Sequence, residues 1–558
     1  MPEIPHLPPT KRSGAASSAL PWRERSGGPM QNRYLRGAPQ TSEAAWRRDH
    51  LGKLLAAIWI VAVAVRLIFI NQPYVDHWSW RQSDVAAIAR NFYDGGFRFA
   101  YPQIDWAGDA TGYVGTEFPI LPFVAAICYK FVGIHEWIGR GQAVIFFAVS
   151  LPFFFLLVRE IFGSTAAVWA TFFFSFAPLN IFAGRSFMPD VPSLSLAIVG
   201  LYFFLRWTHD QKWTPLLLAA IAVSLSSLIK ITSAVIFAPL AYLAVAGIAD
   251  PGLTRGLLGV GRDHRSWLQL LLFIAITVVP SAAWYWHAYQ IAERFYPHHF
   301  FGAGGVRIES LEWYWNIARQ TATSSLTPVL AIMALIGLSV ALGSRTRSVS
   351  GRAALRARYS LLFHWWLVAM ILFTIAVGYG NRHSWYQVPL VPVAAVFAGA
   401  ACAFFASKIA SRPAAIILSL LLTSSFAILS YVNSRPLYES SAAQLRDAGL
   451  ELNKITPSDA LIVAADMGDP TIFYYSQRKG WHFLEEDGIY QGTPSDSQDA
   501  IVDLEKLRRR GATHVVFTRN TLWWLDYYPE LAQRLAESAT VMAASKEFKI
   551  YKFDATAR

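Results

Sequence analysis

The feature that most restricts how this chain can fold is a series of twelve long apolar blocks along its 558 residues. A helix needs about 20 mostly apolar residues to cross a bilayer, because the hydrocarbon core is about 30 Å thick. Blocks of this kind predict an α-helical polytopic membrane protein. They cover residues 52–70, 118–134, 141–158, 164–183, 191–206, 214–229, 232–249, 267–287, 325–343, 360–378, 386–407 and 413–431.

The composition agrees with a membrane protein and argues against a nucleic-acid-binding protein and against a fold held by disulfides or zinc. Only 15% of the residues are charged, whereas soluble proteins carry about 25%. The net charge of +12 does not indicate a nucleic-acid partner, because the basic residues lie in short loops between apolar blocks, where they set membrane topology. Cys128 and Cys402 both lie within apolar segments, so neither a disulfide framework nor a zinc cluster is expected.

Positive charge is concentrated in a few loops and predicts the topology. Residues 344–359 hold five arginines and no acid, and residues 250–266 hold three arginines. Such loops favour the cytoplasmic side of a membrane. They all fall on one side only if one block does not cross, and the short block 118–134 suits a re-entrant or interfacial helix. We therefore predict about eleven transmembrane helices plus interfacial helices, with the N-terminus in the cytoplasm and the C-terminus outside.

Three regions follow from this topology. Residues 1–50 lack the apolar core of a signal peptide and predict a disordered basic cytoplasmic tail. Residues 51–431 form the transmembrane domain, with a first outer loop at residues 71–140. Residues 432–558 predict a small extracytoplasmic α/β domain. Its expected helices and strands lie at residues 438–454, 460–465, 497–510, 514–517 and 548–553.

The first outer loop is the segment richest in reactive side chains. It contains Asp76, Arg81, Asp84 and Glu117, whereas most connections between elements are only about 4–6 residues long. Long structured loops usually carry function. Asp84 lies at the start of a stretch with helical apolar spacing, so it is a candidate for chemistry, although a carboxylate there also complements the helix dipole.

Short cationic turns are predicted on the same side of the membrane. Arg185 and Asp190 belong to one turn, and Arg382 and His383 to another. Lys230 lies between two apolar blocks, where an ionisable side chain is a functional candidate by default. The alternatives are a simple helix start at Asp190 and snorkelling of Lys230 to the interface.

The order of these short motifs resembles the GT-C membrane glycosyltransferases, which include the dolichyl-phosphate-mannose protein mannosyltransferases and the aminoarabinose transferases of the ArnT type. The resemblance covers residues 52–431. It rests on the stretch Trp80 to Tyr93, the Glu117-Phe118-Pro119 turn, Gly139-Arg140, Arg185 to Asp190, Lys230, and the run from Tyr386 to Pro392.

The resemblance implies an inverting glycosyltransferase with a catalytic transmembrane domain of GT-C fold. It implies transfer from a polyprenyl-phosphate sugar to an envelope acceptor (a lipid, glycan or protein) at the outer face of a bacterial inner membrane. An acid of the first outer loop would be the base. The family begins this loop with an Asp-Glu pair, whereas this chain reads Arg81-Gln82-Ser83-Asp84, so both Asp84 and Asp76 remain candidates.

The other site residues follow from the charge that such a reaction develops. Glu117 is a second carboxylate that orients a group or holds a divalent metal cation, and no other cofactor is expected. Asp190 is a further site residue, and membrane lipids are expected partners. The candidates for binding the donor phosphate are Arg81, Arg185, Lys230, Arg382 and His383.

Two other functions fit the same features less well. A flippase for lipid-linked sugars would usually show internal repeats and broken helices near the bilayer midplane, and no repeat is visible in the sequence. A non-catalytic subunit of an envelope-assembly complex would use the outer domain as a binding module. Loss of activity on changing Asp84 or Glu117 would argue against both.

Overall fold

The computed structural model describes residues 42–248, 264–301, 305–343, 358–486 and 488–554. The predictions for the tail and for the two arginine-rich loops fall mostly outside these residues. The chain divides into two compact units, residues 1–54 and residues 55–558. The first helix begins in the smaller unit. Apart from that part of the helix, all features described below belong to the larger unit.

Each apolar block that the sequence predicted is helical over most of its length. The helices of the transmembrane region are α1 (Ser42–Leu67), α2 (Ser79–Asp94), α3 (Ile120–Val132), α4 (Glu136–Phe162), α5 (Ser164–Phe176), α6 (Pro178–Ala183), α7 (Asp190–Asp210), α8 (Trp213–Ile229), α9 (Phe237–Ile248), α10 (His264–Arg294), α11 (Leu311–Gln320), α12 (Pro328–Gly343), α13 (Leu362–Ala376), α14 (Val391–Lys408) and α15 (Arg412–Ser434).

Counted by length and composition, fewer helices are able to cross a membrane than the sequence predicted. Six helices among the described residues are long and apolar enough, and a seventh results if α11 and α12, which meet at 110°, form one broken span. Five further apolar helices have only 10–17 residues, and at 1.5 Å per residue they are shorter than the hydrocarbon core. The predicted count of about eleven is not confirmed, because it includes helices of this shorter class.

Small residues allow the helices of the bundle to approach closely. Gly337 of α12 lies so near α14 that a Cβ atom would be 1.7 Å from the carbonyl oxygen of Phe397. On the other side of α14, a Cβ on Gly399 would lie 2.4 Å from the carbonyl oxygen of Ala166 in α5. Small residues at such crossings let backbones pack together. Helix α14 is therefore fixed between α5 and α12.

Helix α3 begins and ends at the same end of the bundle. Glu117, just before α3, lies beside Lys230 at the end of α8. Glu136, just after α3, accepts hydrogen bonds from Tyr74 on its carbonyl oxygen and from Tyr475 on its carboxylate. The first loop and the C-terminal region supply these partners. We call this side of the molecule the loop end; α3 lies along it and does not cross the bundle.

The C-terminal region forms a mixed five-stranded sheet with strand order β2-β1-β5-β7-β6 and a small β3-β4 hairpin. Strand β1 pairs in parallel with β2 and β5, while β7 is antiparallel to β5 and β6. The elements are α16 (Ala443–Ile455), β1 (Leu461–Ala465), α17 (Thr471–Ser476), β2 (Lys479–His482), β3 (Glu485–Glu486), β4 (Ile489–Tyr490), α18 (Ser497–Arg509), β5 (His514–Thr518), α19 (Trp524–Tyr527), α20 (Pro529–Ser538), β6 (Ala539–Ala544) and β7 (Phe548–Phe553).

The sheet domain and the first outer loop share one hydrophobic core. Ile88, Phe92 and Ile104 of the loop pack in the same cluster as Ile462 of β1 and Val516 of β5. The two segments also exchange backbone hydrogen bonds, from Gly108 to Gly480 at 2.7 Å and from Gly480 to Asp105 at 3.0 Å. Burial of apolar area is the main stabilising force in such contacts. The sheet domain is therefore built onto the loop that the sequence singled out for chemistry.

Candidate active site

Helix α2 is the element around which the candidate site is built. Ala86, Ala87 and Ala89 are buried, because α2 is enclosed by α3 and by the sheet domain. Arg81 and Asp84 are three residues apart, a spacing that places two side chains on neighbouring positions of one helix face. The stretch for which the sequence indicated helical spacing is thus a buried helix, and it holds two charged groups together.

Four charged side chains form a buried ionic group that we call the Glu117 cluster: Arg81, Glu117, Asp190 and Lys230. Nη2 of Arg81 donates to both carboxylate oxygens of Glu117, at 2.8 and 2.9 Å. Nζ of Lys230 lies 3.7 Å from Oε1 of Glu117 and 3.2 Å from Oδ1 of Asp190. Burial alone would raise the pKa of Glu117, but Arg81 and Lys230 hold it below its ordinary value. Glu117 therefore stays ionised between two cations.

The backbone explains why these four residues meet. Asp190 is the first residue of α7, where a carboxylate complements the helix dipole. Lys230 follows the last residue of α8 in extended conformation. The amide of Phe118 donates to the carbonyl oxygen of Leu228 at 3.0 Å and so ties Glu117 to the end of α8. The cluster thus lies where two helix ends and the start of α3 converge.

Asp84 lies beside this cluster in a drier environment. Its residue is 2% exposed. Oδ1 accepts a hydrogen bond from Nε1 of Trp106 at 2.9 Å, and no hydrogen bond reaches Oδ2 from the part of the chain that the structure describes. Burial raises the pKa of Asp84 to about 6, although Arg81 opposes the shift. A carboxylate with a pKa close to neutral and one free oxygen is suited to general base catalysis.

Asp76 lies in a separate buried group that we call the Asp76 cluster. Its Oδ2 atom accepts from Arg140 at 2.9 Å and from Arg185 at 3.4 Å, and its Oδ1 atom accepts from Gln82 at 2.6 Å. Asp76, Arg140 and Arg185 are completely buried. Both oxygens of Asp76 are thus engaged in holding the start of α2. Arg185, which the sequence placed at the donor phosphate, contacts Asp76 and not the Glu117 cluster.

The turn that contains Arg382 and His383 lies near the Glu117 cluster, but its two side chains differ. His383 stacks on Trp385 with ring centroids 4.3 Å apart and lies 5.7 Å from Trp80. Burial, with Arg382 and Lys230 nearby, lowers the pKa of His383 to about 4. It is therefore neutral near pH 7. The Arg382 guanidinium lies over the ring of Tyr379, 3.9 Å from its centroid.

Three polar residues at the site were missed in the sequence: Asp466, Asp469 and His482. Asp466 directly follows β1 and His482 is the last residue of β2, so both lie at the carboxyl ends of parallel strands, where ligand sites of α/β sheets usually form. Asp469 accepts from the Ser79 hydroxyl at 2.6 Å. The signal that points to them is the acidic turn after the buried strand β1.

The residues around Glu117 do not fit a metal site. Across the described ranges, no group of three or more His, Cys, Asp or Glu side chains is arranged to hold a metal ion. The two oxygens of Glu117 are taken by Arg81, with Lys230 beside them. Cations bound to a carboxylate occupy the positions that a metal would need. The divalent cation expected at Glu117 has no supporting geometry.

Comparison with known proteins gives a match to one protein family over part of the chain, and matches to solved structures. The sequence profile of the dolichyl-phosphate-mannose-protein mannosyltransferase family matches residues 116–286, a range that includes Glu117, Asp190 and Lys230. No curated protein sequence matches the chain. Solved structures match almost its whole length.

Two of the matching solved structures show which fold the chain has. ArnT from Cupriavidus metallidurans bound to undecaprenyl phosphate superposes with a TM-score of 0.62 at 15% identity and covers 90% of this chain and 98% of its own. The archaeal oligosaccharyltransferase AglB from Archaeoglobus fulgidus, in complex with an inhibitory peptide and a dolichol-phosphate, gives 0.54 at 13% identity and covers 90% and 74%. The chain has the GT-C fold. It resembles the protein mannosyltransferases and ArnT, as its motifs predicted.

Proposed function

We propose that this protein is a membrane glycosyltransferase that moves a sugar from a polyprenyl-phosphate donor to an envelope acceptor. The observation that carries the proposal is Asp84, a buried carboxylate with a near-neutral pKa, beside the Glu117 cluster at the loop end of a GT-C fold. A base next to fixed cations is what transfer from a phosphate leaving group requires. The undecaprenyl phosphate bound by ArnT and the dolichol-phosphate bound by AglB support the donor class.

The reaction needs one proton transfer and one displacement. Oδ2 of Asp84 takes the proton of an acceptor hydroxyl group, and the acceptor oxygen forms a bond to the anomeric carbon of the sugar. The bond from that carbon to the phosphate oxygen breaks, and its electron pair leaves with the polyprenyl phosphate. Attack opposite the leaving group inverts the anomeric carbon. Lys230 and Arg81 stabilise the charge that develops on the phosphate.

Glu117 and Asp190 have a supporting role in this scheme. They lie within 3.7 Å of the Lys230 ammonium group and so fix the cation in place. The side chain of Glu117 is 12% exposed, whereas the side chains of Arg81, Asp190 and Lys230 are each 6% exposed. A ligand would therefore reach the cluster from the side of Glu117. Preorganised charges act strongly on a transition state because they need no rearrangement during the reaction.

An apolar groove next to the cluster suits the lipid tail of the donor. It has a volume of about 360 Å³ and lies between α11, α13 and the turn before α14. Ile317, Met370 and Leu390 line it together with Gln387. The neighbouring residue Tyr386 has its ring centroid 5.2 Å from Nζ of Lys230. A phosphate held at Lys230 would thus have its isoprenoid chain directed into this groove.

The basic loops supply the proposed orientation. We place the enzyme in a bacterial inner membrane, with the N-terminus in the cytoplasm and the sheet domain on the periplasmic side, because Lys- and Arg-rich loops favour the cytoplasm. The loop end then faces the envelope acceptor. Residues 1–50, 51–431 and 432–558 act in this proposal as a cytoplasmic tail, a catalytic domain and an outer domain.

Transfer by the purified protein tests the proposal. The protein in detergent receives a panel of radiolabelled polyprenyl-phosphate sugars with total membrane lipid as acceptor, and Asp84→Asn serves as the matched inactive variant. We expect one donor to label the lipid or glycan fraction with the wild-type protein only. If no donor is used although the protein binds polyprenyl phosphate, a flippase or an assembly subunit becomes the better assignment.

A further inference from the structure

The sheet domain is docked on the helix that carries Asp84. The hydroxyl of Ser79 donates to Oδ2 of Asp469 at 2.6 Å, and the hydroxyls of Ser83 and Thr471 lie 2.9 Å apart. Positions four residues apart lie on one face of a helix. The turn after β1 therefore runs along α2, and the residue next to Ser83 is Asp84.

A second contact brings a histidine of the sheet domain to the same place. Nδ1 of His482 lies 2.8 and 2.9 Å from the two carboxylate oxygens of Asp466, and the amide of Gly468 donates to Oδ1 of Asp466 at 3.0 Å. The indole of Trp106 lies 5.3 Å from the imidazole of His482 and donates to Asp84. His482 and Asp84 thus contact the same indole ring.

The charges around His482 favour its protonated form. Burial alone would lower the pKa of His482, but the carboxylate of Asp466 outweighs burial and raises it. The titratable groups that face His482 are Asp466 and Asp469 after β1, Asp84 on α2, Tyr490 on β4, and His299, whose pKa burial lowers to about 4. Three of these groups are carboxylates, which favour a positive charge on His482. None of the five groups carries a positive charge near pH 7.

Two cations act on Asp84, Arg81 and His482. Arg81, the nearest one along α2, is held by both oxygens of Glu117. Burial raises the pKa of Asp84; Arg81 and, to a smaller extent, His482 lower it, and Asp469 raises it further. The sheet domain therefore acts on Asp84 with two charges of opposite sign.

We propose that the sheet domain completes the active site: Asp466 holds His482 as an imidazolium against the Trp106 indole that binds Asp84, and this charge adds to that of Arg81 in keeping Asp84 ionised as the base. The proposal rests on the function proposed above. His482 is a positioning residue, because it acts on the acceptor through Asp84. Asp469 opposes His482, because its negative charge favours the protonated form of Asp84.

The pH dependence of transfer tests this charge balance. His482→Gln removes the positive charge, and we expect the acidic limb of the kcat profile to move up by about one pH unit, the size of shift that one nearby charge causes. Asp469→Asn removes a negative charge and keeps hydrogen-bonding atoms for Ser79 and Thr471, so the limb moves down. His482→Lys retains the charge and keeps the limb near its wild-type position. His514→Gln, in strand β5 of the same sheet, is the matched control and leaves the limb unchanged.

The outcomes separate a positioning role from a structural one. If His482→Gln lowers kcat by the same factor at every pH and does not move the limb, the proposal is wrong. Should that variant fail to fold, Asp469→Asn still decides, because only the charge argument predicts a downward shift. Full transfer by Asp84→Asn would instead refute the proposed base. An inactive Asp84→Asn with an unmoved limb in the other variants would refute only the role of the sheet domain.

Discussion

Replacing Asp84 by asparagine is expected to abolish transfer and to stabilise the fold. Burial raises the pKa of Asp84 from 3.8 to about 6. An acid whose pKa is higher in the folded state stabilises the fold below its unfolded pKa, and this contribution is lost as the pH rises through the folded pKa. Above pH 6 the ionised Asp84 therefore destabilises the protein by about 3 kcal/mol, at about 1.4 kcal/mol per pKa unit.

The size of this destabilisation depends on pH. At pH 4 the unfolded chain also keeps much of the proton, so the destabilisation falls to about 0.5 kcal/mol. Asparagine retains an oxygen that accepts from Nε1 of Trp106, removes the charge and places an amide nitrogen where Oδ2 lies in Asp84. Thermal unfolding in detergent should show Asp84→Asn melting a few degrees above wild type at pH 8. At pH 4 the two proteins should melt at almost the same temperature.

A surface carboxylate supplies the control. Asp447 on α16 has a side chain that is 50% exposed and, among the residues that the structure describes, is paired with Arg446 alone. Asp447→Asn should leave the melting temperature almost unchanged at both pH values, because exposed ion pairs contribute little. An Asp84→Asn protein that melts at or below the wild-type temperature at pH 8 would refute the raised pKa on which the assignment of Asp84 as a buried base depends. A difference that does not shrink toward pH 4 would do the same.

Three further changes test other parts of the site. Lys230→Met combined with Asp190→Asn removes the cation that we propose to bind the phosphate, without leaving Asp190 as a buried, unpaired carboxylate. Initial rates should show a kcat at least about 100-fold lower than that of the wild type. Asp76→Asn deprives two buried arginines of their carboxylate and should lower the unfolding free energy by about 3 kcal/mol, measured by denaturation, while the folded fraction still transfers sugar. Chelators should leave turnover intact because Glu117 is held by Arg81; activity that EDTA removes and a divalent cation restores would contradict this.

The sequence predicted the features that depend on local composition. Apolar length identified most helices of the bundle, although it missed α11 and joined α5 and α6 in one block. The alternation of helices and strands identified an α/β domain with β1, β5 and β7 close to their observed positions. Strands β2 and β6 were missed, because Lys479–His482 is short and the outer face of Ala539–Ala544 is exposed. Neither segment carries a strong periodic signal.

The site could be predicted only in part, because its partners are distant in sequence. The first-loop acids were recognised, but nothing near Asp76 indicates that Arg140 and Arg185 neutralise it across more than 60 residues. Asp84 and His482 are likewise separated by most of the chain. A pattern within one segment shows which residue types are present, whereas the fold decides which charges are paired and which remain free to react.

A comparison of binding and transfer by wild type and Asp84→Asn most directly tests the central claim. Both proteins are loaded with the radiolabelled donor that the panel identifies, and a single turnover to acceptor is followed by rapid quenching. We expect equal affinity for undecaprenyl phosphate and a rate of transfer that falls about 1,000-fold or more in the variant, as loss of a general base implies. Transfer by Asp84→Asn at close to the wild-type rate would show that Asp84 is not the base.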